Sequence, residues 1–590
     1  MKLYPIVTLV CISNLRPHPF LQQITASSIH REHSNMDRIS YLPQSILHDI
    51  MSRLPEKDAD RISVLSKSWY DTWSTFPFLV FDESRYETTK IPEDASVELK
   101  AHALLLDKYK FCLAVLCSLL NFESEGLGIR KFKLVFKRYT PRKVLSHINR
   151  WMELVCYSGV EVLQLDKGVE EPQHDNPSSS YSIEEFSCLP PCVLEAKSLI
   201  KLELSWNFRV DQAFLNHPIK FCSLQLLSLK HVYLGDGQVI QNLISSCPLI
   251  ENIELVFCYG LKSVSIHSLP KLMRVFIVGI EEVDVDAPSL EFLFYDVSGF
   301  KTIIPGKIDM DKCKNLRELC LVQMTSIIIT DQWFLELFRT FPLLEMLTLE
   351  AFYMFDMIYI SSVQLKVLDL CNCYDSDDIE IDAPNLKKFK YHDDNSVFPI
   401  ISILNSSSQF VLEVEIYADF LLDLVKLRDF LENVEPKQIP ISLFIGFDDE
   451  STVEFDPFEL QLVSPPSIKH LHLCAASDKE ECCLLFVTSV FWSCRPSIVS
   501  LNVDSSKTLV KIFCEKLIGR KDDSCCSSSE IKCWWHFLKD LKVSSSFRKC
   551  NAADDFKSLL EAFPTLSLEE EDKISRFSEG DIQFTFEWQL

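Results

Sequence analysis

Three close cysteine pairs, Cys371/Cys373, Cys482/Cys483 and Cys525/Cys526, and one histidine pair, His470/His472, are the residues whose types and spacing could do chemistry. Zinc sites draw on sets such as CxxC…CxxC, and none of these pairs has that spacing. The adjacent cysteines read as ordinary thiols rather than as a redox couple. His470 and His472 alternate along an expected strand and share one face. With no carboxylate or cysteine set beside them by spacing, they read as solvent-facing or contact residues. The chain has no GxSxG, Walker A loop, GxGxxG after a strand, HExxH or HRD-type loop, so hydrolytic, phosphate-binding and metalloprotease chemistry lack candidates. It holds only 13 glycines, which limits loops that could cradle phosphate. No catalytic residue, metal or cofactor is expected, and an enzyme is the least supported class.

Charge and composition narrow the partners. Acidic residues outnumber basic ones 84 to 59, for a formal charge of −25, and such a field repels phosphate backbones, so nucleic acid is not an expected partner. The same excess suits either a basic protein partner or plain solubility. The 22 cysteines and the lone sequon at Asn405-Ser406-Ser407 read as reduced, mostly buried thiols in the cytoplasm or nucleus. Beyond the N-terminus no apolar run reaches the roughly 18 residues of a spanning helix, so no membrane is expected. Lys2 and the apolar run from Leu3 to Ile12 have signal-peptide length and charge, without a clear cleavage site. They read alternatively as part of a poorly ordered extension over 1–35, and that reading is the expectation.

The elements that would position a partner begin at Asp37. Leu42, Ile46, Leu47, Ile50, Met51 and Leu54 recur at steps of three and four, which puts them on one helical face. Pro43 suits a first helical position and Pro55 ends the helix. Asp58 can cap a second helix anchored by Ile62 and Leu65. Trp69 and Trp73 lie four apart on a third, Phe76-Pro77 ends it, and Leu79-Val80-Phe81 forms an extended exit. Three short helices make a core too small to be secure alone, so the module gains stability by docking. Trp73 is expected in that core.

The order Leu-Pro, Ile-Leu, Leu-Pro, Val-Leu-Ser-Lys, Trp and Trp over about 45 residues resembles a plant-type F-box. The resemblance implies that the module inserts apolar side chains into the Skp-type adaptor of a Skp–cullin–F-box ubiquitin ligase. The matching positions are Leu42, Pro43, Ile46, Ile50, Leu54, Pro55, Val64, Leu65 and Trp69. At Lys67-Ser68-Trp69-Tyr70 the chain departs from the more basic Ser-Lys-Arg-Trp-Arg run of many relatives, which puts polar contacts at the rim in doubt and leaves the apolar anchors.

From Val160 onward an LxxLxL pattern recurs at Val160/Leu163/Leu165, Leu199/Leu202/Leu204, Leu224/Leu227/Leu229, Ile250/Ile253/Leu255, Leu272/Val275/Ile277 and Leu290/Leu293/Tyr295. It continues at Leu316/Leu319/Leu321, Leu344/Leu347/Leu349, Leu365/Leu368/Leu370, Leu386/Phe389/Tyr391, Val411/Val414/Ile416, Ile468/Leu471/Leu473 and Ile498/Leu501/Val503, with Leu538/Leu541/Val543 as a further candidate. Starts from 199 to 411 lie 18 to 28 residues apart, close to the roughly 20–29 of leucine-rich repeats. One such unit cannot bury its apolar edge, but stacked neighbours can, as a parallel sheet along a solenoid. Segments such as 237–244 and 333–338 read as outer helices. Two near-identical lead-ins, Asp286-Ala287-Pro288-Ser289-Leu290 and Asp382-Ala383-Pro384-Asn385-Leu386, record internal duplication. Polar loops are expected at 166–184 and 519–532, a cap at Trp534, Trp535, Phe537, Leu538 and Leu541, and a solvated acidic run at 569–572.

The expected fold class is therefore α/β: a three-helix F-box module, then an irregular leucine-rich-repeat solenoid with parallel strands on the concave face and helices outside. The expected divisions are an extension at 1–35, the F-box at 36–82, and a helical linker and solenoid start at 83–154. Repeats at 155–417, an irregular insertion at 418–465, C-terminal repeats and cap at 466–545, and an acidic tail region at 546–590 complete the chain. The expected function is substrate recognition for the ligase, with a Skp-type adaptor, a cullin beyond it and an unidentified target protein as partners. A repeat scaffold acting without the ligase is the alternative, and an extracellular recognition protein would rest on 3–12 alone. Between the inward residues, Glu203, Ser228, Glu254, Phe276, Cys320, Thr348 and Asp369 would face the target.

Overall fold

The computed structural model describes residues 39, 42–86, 96–136, 142–167, 186–205, 208–210, 217–297, 306–324, 327–355, 357–373, 377–393, 399–418, 421–434, 439–447, 452–454, 465–475, 479–502, 507–518, 533–545 and 581–588. The expected extension, the loop at 519–532 and the acidic run at 569–572 lie outside these residues, as does most of the loop at 166–184. The chain forms two compact units, Met1–Glu291 with Tyr295–Cys313, and Phe292–Phe294 with Lys314–Leu590.

In the first unit, α1 (Gln44–Ser52), α2 (Glu56–Ile62) and α3 (Lys67–Ser74) lead into β1 (Phe78–Asp82). After it come α4 (Val97–Ser124), β2 (Lys131–Phe136), α5 (Arg142–Tyr157), β3 (Val162–Lys167), β4 (Lys201–Ser205), β5 (Leu226–Lys230), α6 (Gly237–Ser245), β6 (Asn252–Val256) and β7 (Arg274–Val278). The seven strands pair in parallel in chain order. One apolar rung crosses them all: Leu79, Phe132, Leu163, Leu202, Leu227, Ile253 and Val275 are register partners in turn, and each is buried. The repeat sheet thus begins with the exit strand of the helical module. Residues 83–154, expected as a linker leading into the solenoid, already supply β2 and two packed helices.

The expectation of helices outside holds only where the repeat is long enough. From Leu224 to Ile250 there are 26 residues, and α6 fits. The next two repeats advance by 22 and 18 residues. They return through short strands, Ser263–His267 and Glu282–Asp286, which pair in parallel with each other, the second also pairing with Lys307–Asp309. A helix rises only about 1.5 Å per residue against about 3.3 Å for a strand, so a short repeat recrosses the solenoid only when extended.

The second unit repeats this logic. Strands β8 (Glu318–Val322), β9 (Met346–Glu350), β10 (Val367–Cys371), β11 (Lys388–Asp393), β12 (Val411–Ala418), β13 (Ile441–Phe447), β14 (Ser467–Ala475) and β15 (Arg495–Asn502) pair in parallel in order. Helices α7 (Asp331–Thr340), α8 (Leu424–Asn433), α9 (Glu480–Ser493) and α10 (Lys507–Ile518) occupy the long returns. Strands Met357–Ser361 and Asp378–Asp382 form the returns of two 21-residue repeats, and Ile400–Asn405 that of the 25-residue repeat after them. Three expectations need correction here. Residues 418–465, expected as an irregular insertion with a helix at 421–434 and a strand at 441–445, do hold a helix (α8) and a strand (β13) there, but β13 is paired on both edges and so belongs to the repeat sheet. Leu412 rather than Val414 is the partner of Phe389, and Val499 rather than Leu501 is the partner of Leu471, a shift of two residues in each strand. The tail region also supplies a strand, β17 (Asp581–Trp588), antiparallel to both β15 and β16 (Leu538–Ser545). There Trp534 stacks on Phe491 with ring centroids 4.0 Å apart, and Phe584 meets Phe513 edge-on at 5.0 Å.

Repeats are clamped by polar atoms that recur at matching places. The two duplicated lead-ins fold alike: Leu290 N–H donates to Ala287 O at 3.0 Å and Leu386 N–H to Ala383 O at 2.9 Å. Ser289 and Asn385 each donate to a carbonyl of the preceding repeat at 2.8 Å. Buried thiols do the same: Cys258 donates to Leu229 O and Cys313 to Val285 O, both at 3.4 Å. These cysteines are structural donors, and burial pushes Cys258 up to about 12.

Six main strands, β5 to β10, leave the sheet through a left-handed residue whose N–H bonds a carbonyl at the end of the neighbouring strand. In the first unit these are His231, Phe257 and Gly279, with φ of 55°, 48° and 73°. In the second they are Gln323, Ala351 and Asn372, at 56°, 58° and 48°. Only one of the six is glycine, and a side chain in this region costs roughly 1–2 kcal/mol. At Gly279 a Cβ would also lie 2.7 Å from the Phe257 ring. Chemical denaturation should therefore show Ala351→Gly stabilising by roughly 1 kcal/mol and Gly279→Ala destabilising by more than that. Equal and opposite changes of small size would refute the strain account.

Candidate protein-docking surface

Three local devices hold the helical module. The Pro43 carbonyl accepts Ile46 N–H at 2.9 Å and Leu47 N–H at 3.1 Å, so this proline caps α1 rather than occupying its first turn. Pro55 starts α2 in the same way, accepting from Asp58 and Ala59 at 2.9 and 3.0 Å. Asp58, expected as the cap, lies inside α2 and pairs with Arg61 at 3.0 Å. At α3 the Ser66 hydroxyl accepts Trp69 N–H at 3.2 Å. Across the module His48 Nε2 lies 3.1 Å from Thr72 O and pins α1 to α3. That contact had no signal in the spacing.

The core consists of Leu47, Met51, Ala59, Trp69, Trp73 and Phe76, with Leu54, Ile62 and Phe78 partly buried against it. Helix α1 therefore carries two apolar stripes rather than one face: Leu47 and Met51 point inward, while Ile46 is 46% exposed. Val64 and Leu65, on the turn between α2 and α3, are 56% and 69% exposed. Leu42, Pro43 and Pro55 are exposed as well, and Ile50 and Leu54 are half-buried. Trp69, expected among the contact residues, is buried beside Trp73 instead, since its position four residues before Trp73 turns both indoles inward. Ile39 and Tyr70, which spacing did not single out, are also exposed. Exposed leucine, isoleucine and valine concentrated on so small a module mark a surface built to be covered by protein.

This surface is tied closely to the repeat sheet. Phe76 and Phe78 rings lie 4.7 Å apart, and Phe81 meets Phe132 at 6.1 Å. The Pro77 carbonyl accepts from Arg130 and Lys131 at 2.8 and 3.1 Å. Behind β1, Glu83 and Lys108 form a buried ion pair at 3.4 Å, and burial, against the nearby Glu83 charge, lowers the Lys108 pKa.

The outward face of the first unit's sheet is the second candidate. Gln164, Glu203, Ser228, Glu254 and Phe276 form one rung across five strands. Ser228 donates to Glu254 at 2.8 Å and Lys201 pairs with Glu203 at 2.6 Å. A depression of about 410 Å³ opens here, lined by Lys133, Gln164, Asp166, Glu203, Lys230 and His231 among others. Burial raises the Asp166 pKa against the pull of Lys133, Ser205 and Lys230. In the second unit, burial pushes Glu415 upward, but hydrogen bonds from Lys390 and His392 hold its carboxyl below the usual range. His470 and His472 share a face, with ring centroids 3.8 Å apart and His470 2.8 Å from Ser500 Oγ. Among the described residues no group of His, Cys, Asp and Glu could hold a metal, and no helix is long and apolar enough to cross a membrane.

Comparison with known proteins covers both surfaces. Residues 39–81 match the F-box domain family. Residues 148–317 match the leucine-rich repeats of the family described as FBD-associated F-box protein At5g56370. F-box/LRR-repeat protein 13 of Arabidopsis thaliana is 26% identical over 299 residues, covering 48% of this chain and 58% of the relative. From the same plant, F-box/FBD/LRR-repeat protein At1g13570 is 32% identical over 248 residues, 41% of this chain and 49% of the relative. F-box/LRR-repeat protein At3g26922 is 29% identical over 311 residues, 50% of this chain and 88% of the relative. The chain thus spans less than two thirds of the first two of these relatives.

Two measurements test these assignments. Ile46→Asp and Leu65→Asp should change unfolding free energy by about 0.5 kcal/mol or less, whereas Trp73→Ala should cost about 3–5 kcal/mol. A large loss from the exposed pair would mean that they belong to the core. Separately, burial pushes His231 and His470 down to about 4, against roughly 6.5 when unfolded. The unfolded chain therefore binds more protons below pH 6.5, and the stability these neutral rings contribute is lost as pH falls toward 4. His231→Asn/His470→Asn should flatten the fall in denaturation midpoint over that window, and an unchanged slope would contradict it.

Proposed function

Because this chain is a plant F-box/leucine-rich-repeat protein, we propose that it is the substrate-recognition subunit of a Skp–cullin–F-box ubiquitin ligase. The F-box surface holds a Skp-type adaptor, and through it a cullin, while the sheet face of the repeats holds a target protein. The observation that carries this reading is the exposure of Ile46, Val64 and Leu65 on a module whose own core is complete without them. Leu42, Pro43 and Pro55 extend that surface, and Ile50 and Leu54 border it. Trp69 contributes from beneath, by holding α3 in place.

The chain's part in the chemistry is proximity. Holding a target beside the conjugating machinery raises the effective concentration of its lysines, and a well-packed joint keeps that geometry from being averaged away. The parallel pairing of β1 with β2 and the Phe81–Phe132 contact supply such a joint within the first unit. No catalytic residue is required of this chain. Cytoplasm or nucleus is the proposed location, supported by the buried cysteines that donate to main-chain carbonyls as thiols.

Co-purification tests the reading. A Skp-type adaptor should accompany the wild-type chain, and Leu42→Ala/Pro43→Ala or Ile46→Asp/Leu65→Asp should weaken its retention by roughly 30-fold, the effect of losing an anchor worth about 2 kcal/mol. Retention unchanged by both variants would reject this surface. No adaptor with any form would leave a repeat scaffold that acts without the ligase.

A further inference from the structure

Helix α4 carries a second apolar surface that the ligase reading does not use. It runs 28 residues, from Val97 to Ser124. One side is built into the first unit: Phe111, Val115, Leu119 and Phe122 are buried, and Phe111 meets Tyr86 and Phe136 edge-on at 5.4 and 5.9 Å. On the other side Leu99, Leu106, Leu113 and Leu120 follow one another at seven-residue steps and are all exposed. Tyr109, 68% exposed, lies between them, and Leu105 flanks them. Leu116, partly exposed, continues the same seam.

We propose that this seam is a self-association surface, on which a second copy of α4 packs antiparallel to form a two-fold dimer. Three observations favour a copy of this chain over an unrelated partner. A strict seven-residue repeat fits knobs of one helix into holes of another only when the second helix carries the same repeat, and α4 itself does. The seam also reads alike from both ends, with leucines outermost and Tyr109 near the middle. A two-fold axis near Tyr109 therefore sets the Leu99 end against the copy's Leu116–Leu120 end, an isologous contact that closes at two copies. The seam positions themselves hold no Asp, Glu, Lys or Arg, and Lys110 at their edge is paired with Asp107 of its own helix at 2.8 Å, so pairing buries no unmatched charge. Antiparallel pairing also sets the two helix dipoles head to tail. The exposed side chains would bury roughly 600 Å² per copy, somewhat under the ~800 Å² of a standard interface, which points to a dimer of micromolar rather than nanomolar strength. This inference is independent of adaptor binding.

Sedimentation equilibrium on the full chain, from low to tens of micromolar, tests it. The wild type should show a concentration-dependent monomer–dimer equilibrium. Leu99→Lys/Leu106→Lys and Leu113→Glu/Leu120→Glu should each be monomeric alone, since in an antiparallel homodimer each charged half meets an apolar half. Mixed together they should form a heterodimer, because the lysine half of one then faces the glutamate half of the other while the two intact halves pair. That rescue also shows that both variants are folded. A wild type that stays monomeric throughout, a dimer unaffected by either variant, or monomeric variants that fail to associate on mixing would each overturn the proposal.

Discussion

A parallel strand with two inward apolar side chains cannot be buried by its own repeat, and every other feature of this molecule follows from supplying it with neighbours. Within each unit the inner rung is a chain of register partners such as Leu202, Leu227 and Ile253. Removing one partner exposes the two beside it. An array of this kind is vulnerable where it stops, because an open edge offers unpaired N–H and C=O groups and uncovered side chains. The first unit's described sheet begins with β1, which follows directly from the F-box module and packs Phe78 against its core. The second ends on an antiparallel pair, with Trp534, Phe491 and Phe513 stacked beneath it. The module with the exposed apolar surface is thus joined directly to the sheet's first described strand.

The same constraint explains how far the sequence could be read. Inward positions were legible because the cost of misplacing them is high and the pattern repeats a dozen times. Reading failed where a strand carries a third inward aliphatic residue. Leu412, Val414 and Ile416 alternate on one buried face, as do Val499 and Leu501, and a shift of two residues keeps the same face inward. Only pairing with Phe389 and Leu471 fixes the register. The outer layer was less legible still, because helix against strand there depends on how many residues a repeat has left over, and local propensity does not record that. The closing strand β17 did have a signal: Ile582, Phe584, Phe586 and Trp588 alternate with polar residues. It is hidden by lying 36 residues beyond the previous strand, Leu538–Ser545, and by running antiparallel.

The docking surface divides in a comparable way. Leucine–proline punctuation and helical spacing identify the module and its apolar inventory, but they cannot apportion that inventory between core and surface. On α1 the two stripes are one residue apart, Ile46 beside Leu47 and Ile50 beside Met51. Which of them turns inward is set by the indoles of α3 that the helix must cover. Trp69 shows the converse: it belongs to the motif because the motif needs a core. The polar pin from His48 to the Thr72 carbonyl is invisible in one dimension, since 24 residues separate the two ends.

The joint between module and sheet connects these two lines of argument. Glu83 and Lys108 are both almost wholly buried, an arrangement that contributes little net stability because desolvation offsets most of the attraction. Losing either partner, by contrast, leaves a buried charge uncompensated. Such a pair therefore discriminates between packings more than it strengthens one. It sits where the chain turns from β1 into the segment leading to α4, beside Tyr86 and Phe111. At that point a purely apolar contact between α4 and the turn would tolerate sliding by a residue or a turn. The ion pair allows one register, and that register fixes which face of α4 lies inside the unit and which leucines are left outside. The position of the exposed seam is thus set by a buried charge pair on the opposite side of its own helix.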